Sequence, residues 1–170
     1  LLAVLGQYWY VLIGLIAALA RRSSILKVRY TSTCYIECVR GMPLLVLILV
    51  LFYVVANALG IHDRLLVGVV VLSLFAGAYI AEIIRAGIES VGASQLESAR
   101  AIGLSTGQTY RYVIFPQALR QVLPPLAGQF ASIVKDSSLL SIIGLAEFTY
   151  TAQQVNSATY STLESYLPLA

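Results

Sequence analysis

The residues able to do chemistry in this chain are few. The least expected pair is Lys135-Asp136, followed directly by Ser137-Ser138, inside the otherwise apolar stretch from Pro124 to about Ala146. A charge near the centre of a bilayer costs roughly 2.5–3.5 kcal/mol, and such residues usually face a cavity or a partner. Neighbours on a helix point about 100° apart, so the two do not simply pair with each other. Either the helix breaks there or each charge finds another partner. A broken helix frees the amides, carbonyls and end dipoles from which transporters build midplane binding sites. Ser137 and Ser138 are then expected to cap a new helical segment, Leu139 to Ala146. The other reading is an interfacial kink, with Lys135 reaching for headgroups. Glu147 closes the segment, as a second polar group on the same route or as a loop carboxylate at the outer surface.

Enzyme chemistry finds no constellation. There is no G-x-S-x-G, no histidine pair for zinc and no phosphate-binding G-x-x-x-x-G-K-[ST] loop. The single histidine, His62, reads as a solvated loop residue. Cys34 and Cys38 share a helix face at i,i+4 and read as small packing residues. Glu37 is expected to pair with Arg40 at i,i+3.

The elements that must hold these residues belong to a membrane. Of 170 residues, 59% are hydrophobic and 11% charged, where a soluble domain carries nearer a quarter charged. A net charge of +3 gives no ground for a nucleic-acid partner. The apolar runs predict an all-α membrane protein of about five transmembrane helices in one domain, 1–170. They cover 1–20, 34–56 with a kink at Pro43, 65–84, 124–146 opened by Pro124-Pro125, and a last one beginning at Tyr166. Small residues at Gly68, Ser73, Ala76, Gly77 and Ala78 suit close helix packing in the third. The chain opens inside one apolar run and closes as another begins, so both end helices are expected to be truncated, and no signal peptide is expected.

Nine of the eleven Lys and Arg residues fall in 21–40 and 85–120. The positive-inside rule puts both segments in the cytoplasm and 57–64 outside.

The longest section without a membrane-grade run, about 86–121, then faces the cytoplasm. Ser94 with Glu97, and Ser105 with Gln108, read as capping boxes that start two short helices. Gly103 sits where a C-cap glycine belongs, and Pro116 ends or kinks the second helix.

This section also resembles the coupling loop of bacterial ABC-importer permeases, "EAA…G…I-x-L-P". Glu97-Ser98-Ala99, then Gly103, then Val113-Ile114-Phe115-Pro116 carry the match, with Ser98 for Ala and Phe115 for Leu. Two further stretches are similar to the polar amino-acid subfamily. YIECVRGMPLLVLI, from Tyr35, resembles "Y-x-E-x-x-R-G-T-P-L-L-V-Q", and LPPLAGQFASIVKDSSL, from Leu123, resembles "L-P-P-x-x-N-Q-F-x-x-x-x-K-D-T-S-L". Met42, Leu47, Gly128 and Ser137 depart from those patterns, which leaves the solute open.

The resemblance implies a type I importer permease subunit for polar amino acids in the bacterial cytoplasmic membrane. Glu97, Ser98, Ala99, Gly103 and Pro116 would couple it to an ATPase dimer that holds ATP-Mg, with no cofactor on this chain. Lys135, Asp136, Ser137, Ser138 and Glu147 would line the solute route. A second permease subunit, identical or paralogous, and an extracytoplasmic solute-binding protein would complete the assembly. Residue types fit coupling: Ser98, Ala99 and Ala101 are small enough for close helix approach, and Glu97 offers a charge. The alternative is an ion-coupled secondary transporter using Lys135 and Asp136 as a proton relay. An intramembrane enzyme lacks a nucleophile motif or metal ligands, and a scaffold would not need midplane charges.

Overall fold

The computed structural model describes residues 7–145 and 148–169. Every regular element among them is helical. Gln7–Arg21 (α1) is followed by Leu26–Gly41 (α2), Leu44–Leu49 (α3, continued by a π-helical stretch, Val50–Ala56) and Arg64–Glu89 (α4). Then come Ala93–Ala101 (α5), Thr106–Thr109 (α6, continued as a π turn, Tyr110–Ile114) and Phe115–Asp136 (α7). A 3-10 helix, Ser137–Ile143, leads to Phe148–Thr159 (α8), Thr162–Tyr166 (α9) and a last 3-10 turn, Leu167–Leu169.

The centre of the fold is α4. Asp63 caps it, accepting from the amides of Leu65 at 2.9 Å and Leu66 at 3.2 Å, so two of the free N-terminal donors are satisfied without neighbouring elements. Its small residues Gly68, Ser73, Ala76, Gly77 and Ala78 are all buried, as the packing argument requires. Against α1 the fit is reciprocal. A Cβ on Gly77 would lie 2.6 Å from Ile13 Cγ2, and one on Gly14 would lie 2.5 Å from Ile80 Cγ2. Each helix offers a glycine to the other's isoleucine, which brings the backbones together. On another face of α4, Leu140 packs over Gly68, and Gly87 leaves room for Val122.

Four expectations change. The basic segment after α1 is itself helical: α2 spans Leu26–Gly41, and the pair α2 and Leu44–Ala56 is bent by 112°. Pro43 disfavours helical backbone at the residue before it, and Met42 is extended (φ −105°, ψ 141°). The expected single helix over 34–56 is therefore two helices at a sharp elbow. Secondly, Pro124 and Pro125 lie inside α7 rather than at its start. Their missing amides leave the carbonyls of Arg120 and Gln121 without helical donors, and the helix runs on. Thirdly, Pro116 does not end a helix; it sits in the first turn of α7. The π turn before it widens the coil, and the Phe115 amide bonds the Tyr110 carbonyl. Fourthly, the polar loop is shorter than about 86–121, since α4 runs to Glu89 and α7 begins at Phe115.

Among the described residues, α4 is the helix long and apolar enough to cross a bilayer on its own; α2 with Leu44–Ala56 passes the same test only as a bent pair, and Tyr8–Arg21 is a shorter apolar helix. Glu147 lies outside the described residues.

Candidate functional site

The hairpin at the polar end of α4 is built by backbone conformation. Gly92 takes φ +72° and Gly103 φ +83°, both left-handed positions that favour glycine. Gly92 starts α5 and Gly103 follows its end. The Ser94–Glu97 capping box is absent: Gly92 is the N-cap residue, without a side-chain cap, and the helix begins at Ala93. Ser94 therefore falls inside the first turn, two residues past the capping position. The second box is present. Ser105 Oγ accepts from the Gln108 amide at 3.3 Å, and Gln108 Oε1 accepts from the Ser105 amide at 2.9 Å.

This arrangement splits the expected coupling residues. Glu97, Ser98, Gly103 and Pro116 are exposed, and Ala99 is buried. Ala99 thus lets α5 approach its own chain, while Ser98 and the protruding Ile102, 77% exposed, face outward. Underneath, Val91, Ile114 and Ala118 form a small apolar cluster that holds the hairpin to α7.

The break at Lys135-Asp136 occurs where charge and periodicity pointed, in a different form. The α-helix ends at Asp136 and a 3-10 helix begins at Ser137. Neither serine caps a new α-helix: Ser137 is buried and its hydroxyl donates to the Val134 carbonyl at 2.8 Å. The 3-10 helix stops at Ile143 with Gly144 left-handed at φ +70°, and Arg64 Nη1 donates to the Gly144 carbonyl at 3.3 Å. Lys135 is exposed and Asp136 half-buried. Among the described residues neither joins an ion pair.

Depth follows from the two glycine contacts. Gly68 to Gly87 covers about 28 Å along α4 at 1.5 Å per residue. Val122 to Leu140 covers about the same, at 1.5 Å per residue in α7 and 2.0 Å in the 3-10 part. Asp136 then lies level with Ser73, about 14 Å from Arg64 along a helix about 37 Å long.

A third group was not expected. Arg21 bonds Glu82 and Glu37, each at 3.0 Å. Arg40 reaches Glu82 at 3.6 Å, and Arg85 bonds both Glu82 and Glu89. Glu37 therefore pairs across helices with Arg21 rather than along α2 with Arg40, because the elbow aims Arg40 at α4. Glu82 is the shared acceptor, and it ties α1, α2 and α4 at one end. Next to it, Arg22 Nη2 donates to Tyr110 Oη at 3.2 Å, a link from the end of α1 to the hairpin. Cys34 and Cys38 are both exposed rather than packed; the buried face of α2 is Ser32, Ile36 and Val39.

Residues 10–169 match the family described as binding-protein-dependent transport system inner membrane component. The chain belongs to that family. It is a permease component of an ABC importer, a membrane-embedded transport subunit. The permease is 36% identical over 172 aligned residues to the glutamine transport system permease protein GlnP of Escherichia coli K12, covering 99% of this chain and 78% of the relative. It is 39% identical to the L-cystine transport system permease protein TcyB of Bacillus subtilis 168, covering 91% of this chain and 66% of the relative. Its fold matches a crystal structure of an amino acid ABC transporter with histidines at TM-score 0.90 and 40% identity, over 98% of this chain and 78% of that one.

Sequence reasoning missed the Glu82 cluster. The signal available was Arg21 at the end of one apolar run and Glu82 and Arg85 at the end of another, both assigned to the same side of the membrane. That assignment brings ends together without saying which charges meet.

Proposed function

We propose that this permease moves polar amino acids inward across the bacterial cytoplasmic membrane by alternating access, driven by a separate ATPase dimer that binds ATP-Mg. What supports the coupling role is the α5–α6 hairpin: a left-handed Gly103 holds two short helices together with Glu97 and Ser98 outward, on a loop that the charge asymmetry assigns to the cytoplasm. What supports the solute class is the relatives' names, glutamine and L-cystine permeases. The remaining partners are a second permease subunit, identical or paralogous, and an extracytoplasmic solute-binding protein.

Lys135, Asp136, Ser137, Ser138 and Glu147 are proposed to line the route. A zwitterionic solute needs partners for both charges, and stripping water from either without them is costly. The half-buried Asp136, the exposed Lys135 and the change from α to 3-10 backbone put an acid, a base and less regularly bonded peptide groups at one depth.

The test is reconstitution in proteoliposomes with the partner ATPase and solute-binding protein. Hydrolysis stimulated by liganded binding protein, together with solute uptake that stops without ATP, is the expected result. Uptake driven by an ion gradient in vesicles lacking the ATPase would establish the secondary-transporter reading instead.

A further inference from the structure

Cys34 and Cys38 take no part in the hairpin, the Glu82 cluster or the α7 break. Both thiols are free and exposed, and their Sγ atoms stand 3.8 Å apart on the open face of α2. The opposite face of that helix is fastened. Ser32 Oγ donates to the Ala17 carbonyl at 2.8 Å, Tyr35 Oη donates to the Leu74 carbonyl at 2.6 Å, and Ile36 is fully buried against Ala17, Ala18 and Ala81. The two sulfurs are thus presented one turn apart by a helix that is held in place.

The spacing selects a ligand class. Two sulfurs about 2.3 Å from one centre at a tetrahedral angle lie about 3.8 Å apart, and the narrower angle of a pyramidal centre needs the two exposed sulfurs only a few tenths of an ångström closer, so one soft atom can bridge this pair. Zinc in a structural site takes four protein ligands. Among the described residues no group of three or more His, Cys, Asp or Glu side chains is placed to hold a metal. A ligand here has to be complete with two thiols and must bring its remaining bond itself. We propose that Cys34 and Cys38 form a two-thiol site for a monosubstituted trivalent arsenical, whose arsenic bonds both sulfurs and keeps its own carbon.

The step balances without any redox partner. An arsenoxide, R–As=O, condenses with two S–H groups. Two As–S bonds form, the As=O bond breaks, and the oxygen leaves with both thiol protons as water. Arsenic stays trivalent and both sulfurs stay at the thiol level. The second As–S bond is intramolecular, which strengthens retention by about 100-fold or more over a single thiol. The charge asymmetry assigns this end of α2 to the cytoplasm, where thiols stay reduced.

Phenylarsine oxide and the full chain in detergent provide the test. Intact mass should show one phenylarsenic per chain, and thiol titration should fall from two free thiols to none. Excess 2-mercaptoethanol should leave the adduct in place, and 2,3-dimercaptopropanol should remove it. Cys34→Ser and Cys38→Ser should each retain the arsenical about 100-fold less well. The assignment is overturned if the wild-type chain keeps a free thiol after taking one arsenic, takes two, or loses its arsenic to the monothiol as readily as the single variants. The thiol count is made on the unaltered chain, so it decides the matter even where a variant folds poorly.

Discussion

Arg21 and Glu82, 61 residues apart, meet at 3.0 Å at the ends of α1 and α4. The contact is the centre of a cluster in which one carboxylate serves Arg21, Arg40 and Arg85. Exposure ranks its members: the Glu82 side chain is 19% exposed and that of Glu37 59%. Removing a partly buried acceptor leaves guanidinium groups facing one another, whereas exposed pairs contribute little. Glu82→Gln is therefore expected to destabilise the chain by about 2 kcal/mol, and Glu37→Gln by less than about 1 kcal/mol. Unfolding of the detergent-solubilised protein checks both; an equal loss for the two would show that Glu82 is not the shared support.

The α1–α4 seam gives a second expectation. Gly77→Ala places a methyl group on Ile13, and the neighbouring atoms include the branch point of that half-buried side chain. Overpacking of this kind costs about 1–3 kcal/mol. Ile13→Ala makes room, so the double variant should recover part of the loss, with a coupling of at least about 0.5 kcal/mol in a double-mutant cycle. Strict additivity would mean that the two residues do not meet.

How much of this was readable beforehand can be told from particular residues. The all-helical class, the α4 span with its small-residue face, the turn at Gly103 and the Ser105–Gln108 box follow from local rules, and local rules suffice for them. The elbow at Met42-Pro43 was only half legible. Pro43 announced a break, but the size of the bend depends on where α2 finds its contacts on Ala17 and Leu74. Capping at Ser94 failed because Gly92, two residues earlier, can adopt φ > 0 and does. The Glu82 cluster was out of reach, since three arginines and three acids drawn from three helices meet only after the helices have packed. At the end of α7, the position of the break was legible from charge, and its 3-10 form was not.

Topology should be read with positions that the structure leaves free. Gly107 has open space around an added Cβ, and His62 is exposed; Gln108 and Asp63 are less suitable because both cap helices. In a background carrying Cys34→Ser and Cys38→Ser, Gly107→Cys is expected to react with an impermeant maleimide only from the cytoplasmic side, and His62→Cys only from outside. The opposite pattern would overturn the orientation and the coupling role of the hairpin together.

The proposed coupling role is tested at Gly103 and Glu97. Proline cannot adopt φ +83°, so Gly103→Pro should disrupt the turn, and Gly103→Asn, which tolerates left-handed backbone, should retain more function. Glu97→Lys reverses an exposed charge in a helix that Glu97 does not cap, so the hairpin should stay folded. Both Gly103→Pro and Glu97→Lys are expected to lower solute-stimulated ATP hydrolysis by about tenfold, a change of about 1.4 kcal/mol in coupling, with normal membrane insertion. Wild-type stimulation in either would remove that residue from the coupling surface.

The proposed route is tested at Asp136, which is half-buried at the end of α7 and joins no ion pair among the described residues. A carboxylate held at that depth without a basic partner is costly to the resting protein, and a cationic group of a passing solute would offset that cost. Asp136→Asn keeps size and hydrogen bonding and removes the charge. It is expected to depress uptake of a zwitterionic amino acid by about tenfold or more, since a hydrogen bond to a charged group is worth about 1.5–3 kcal/mol, with expression unchanged. Asp136→Leu eases insertion into lipid and should still hurt uptake at least as much. That combination separates a solute contact from a structural one: a residue kept only to shape the α-to-3-10 junction would be improved, or left unchanged, by an apolar replacement. Normal uptake by Asp136→Leu would place the solute site elsewhere and leave Lys135 as a side chain reaching for the headgroups.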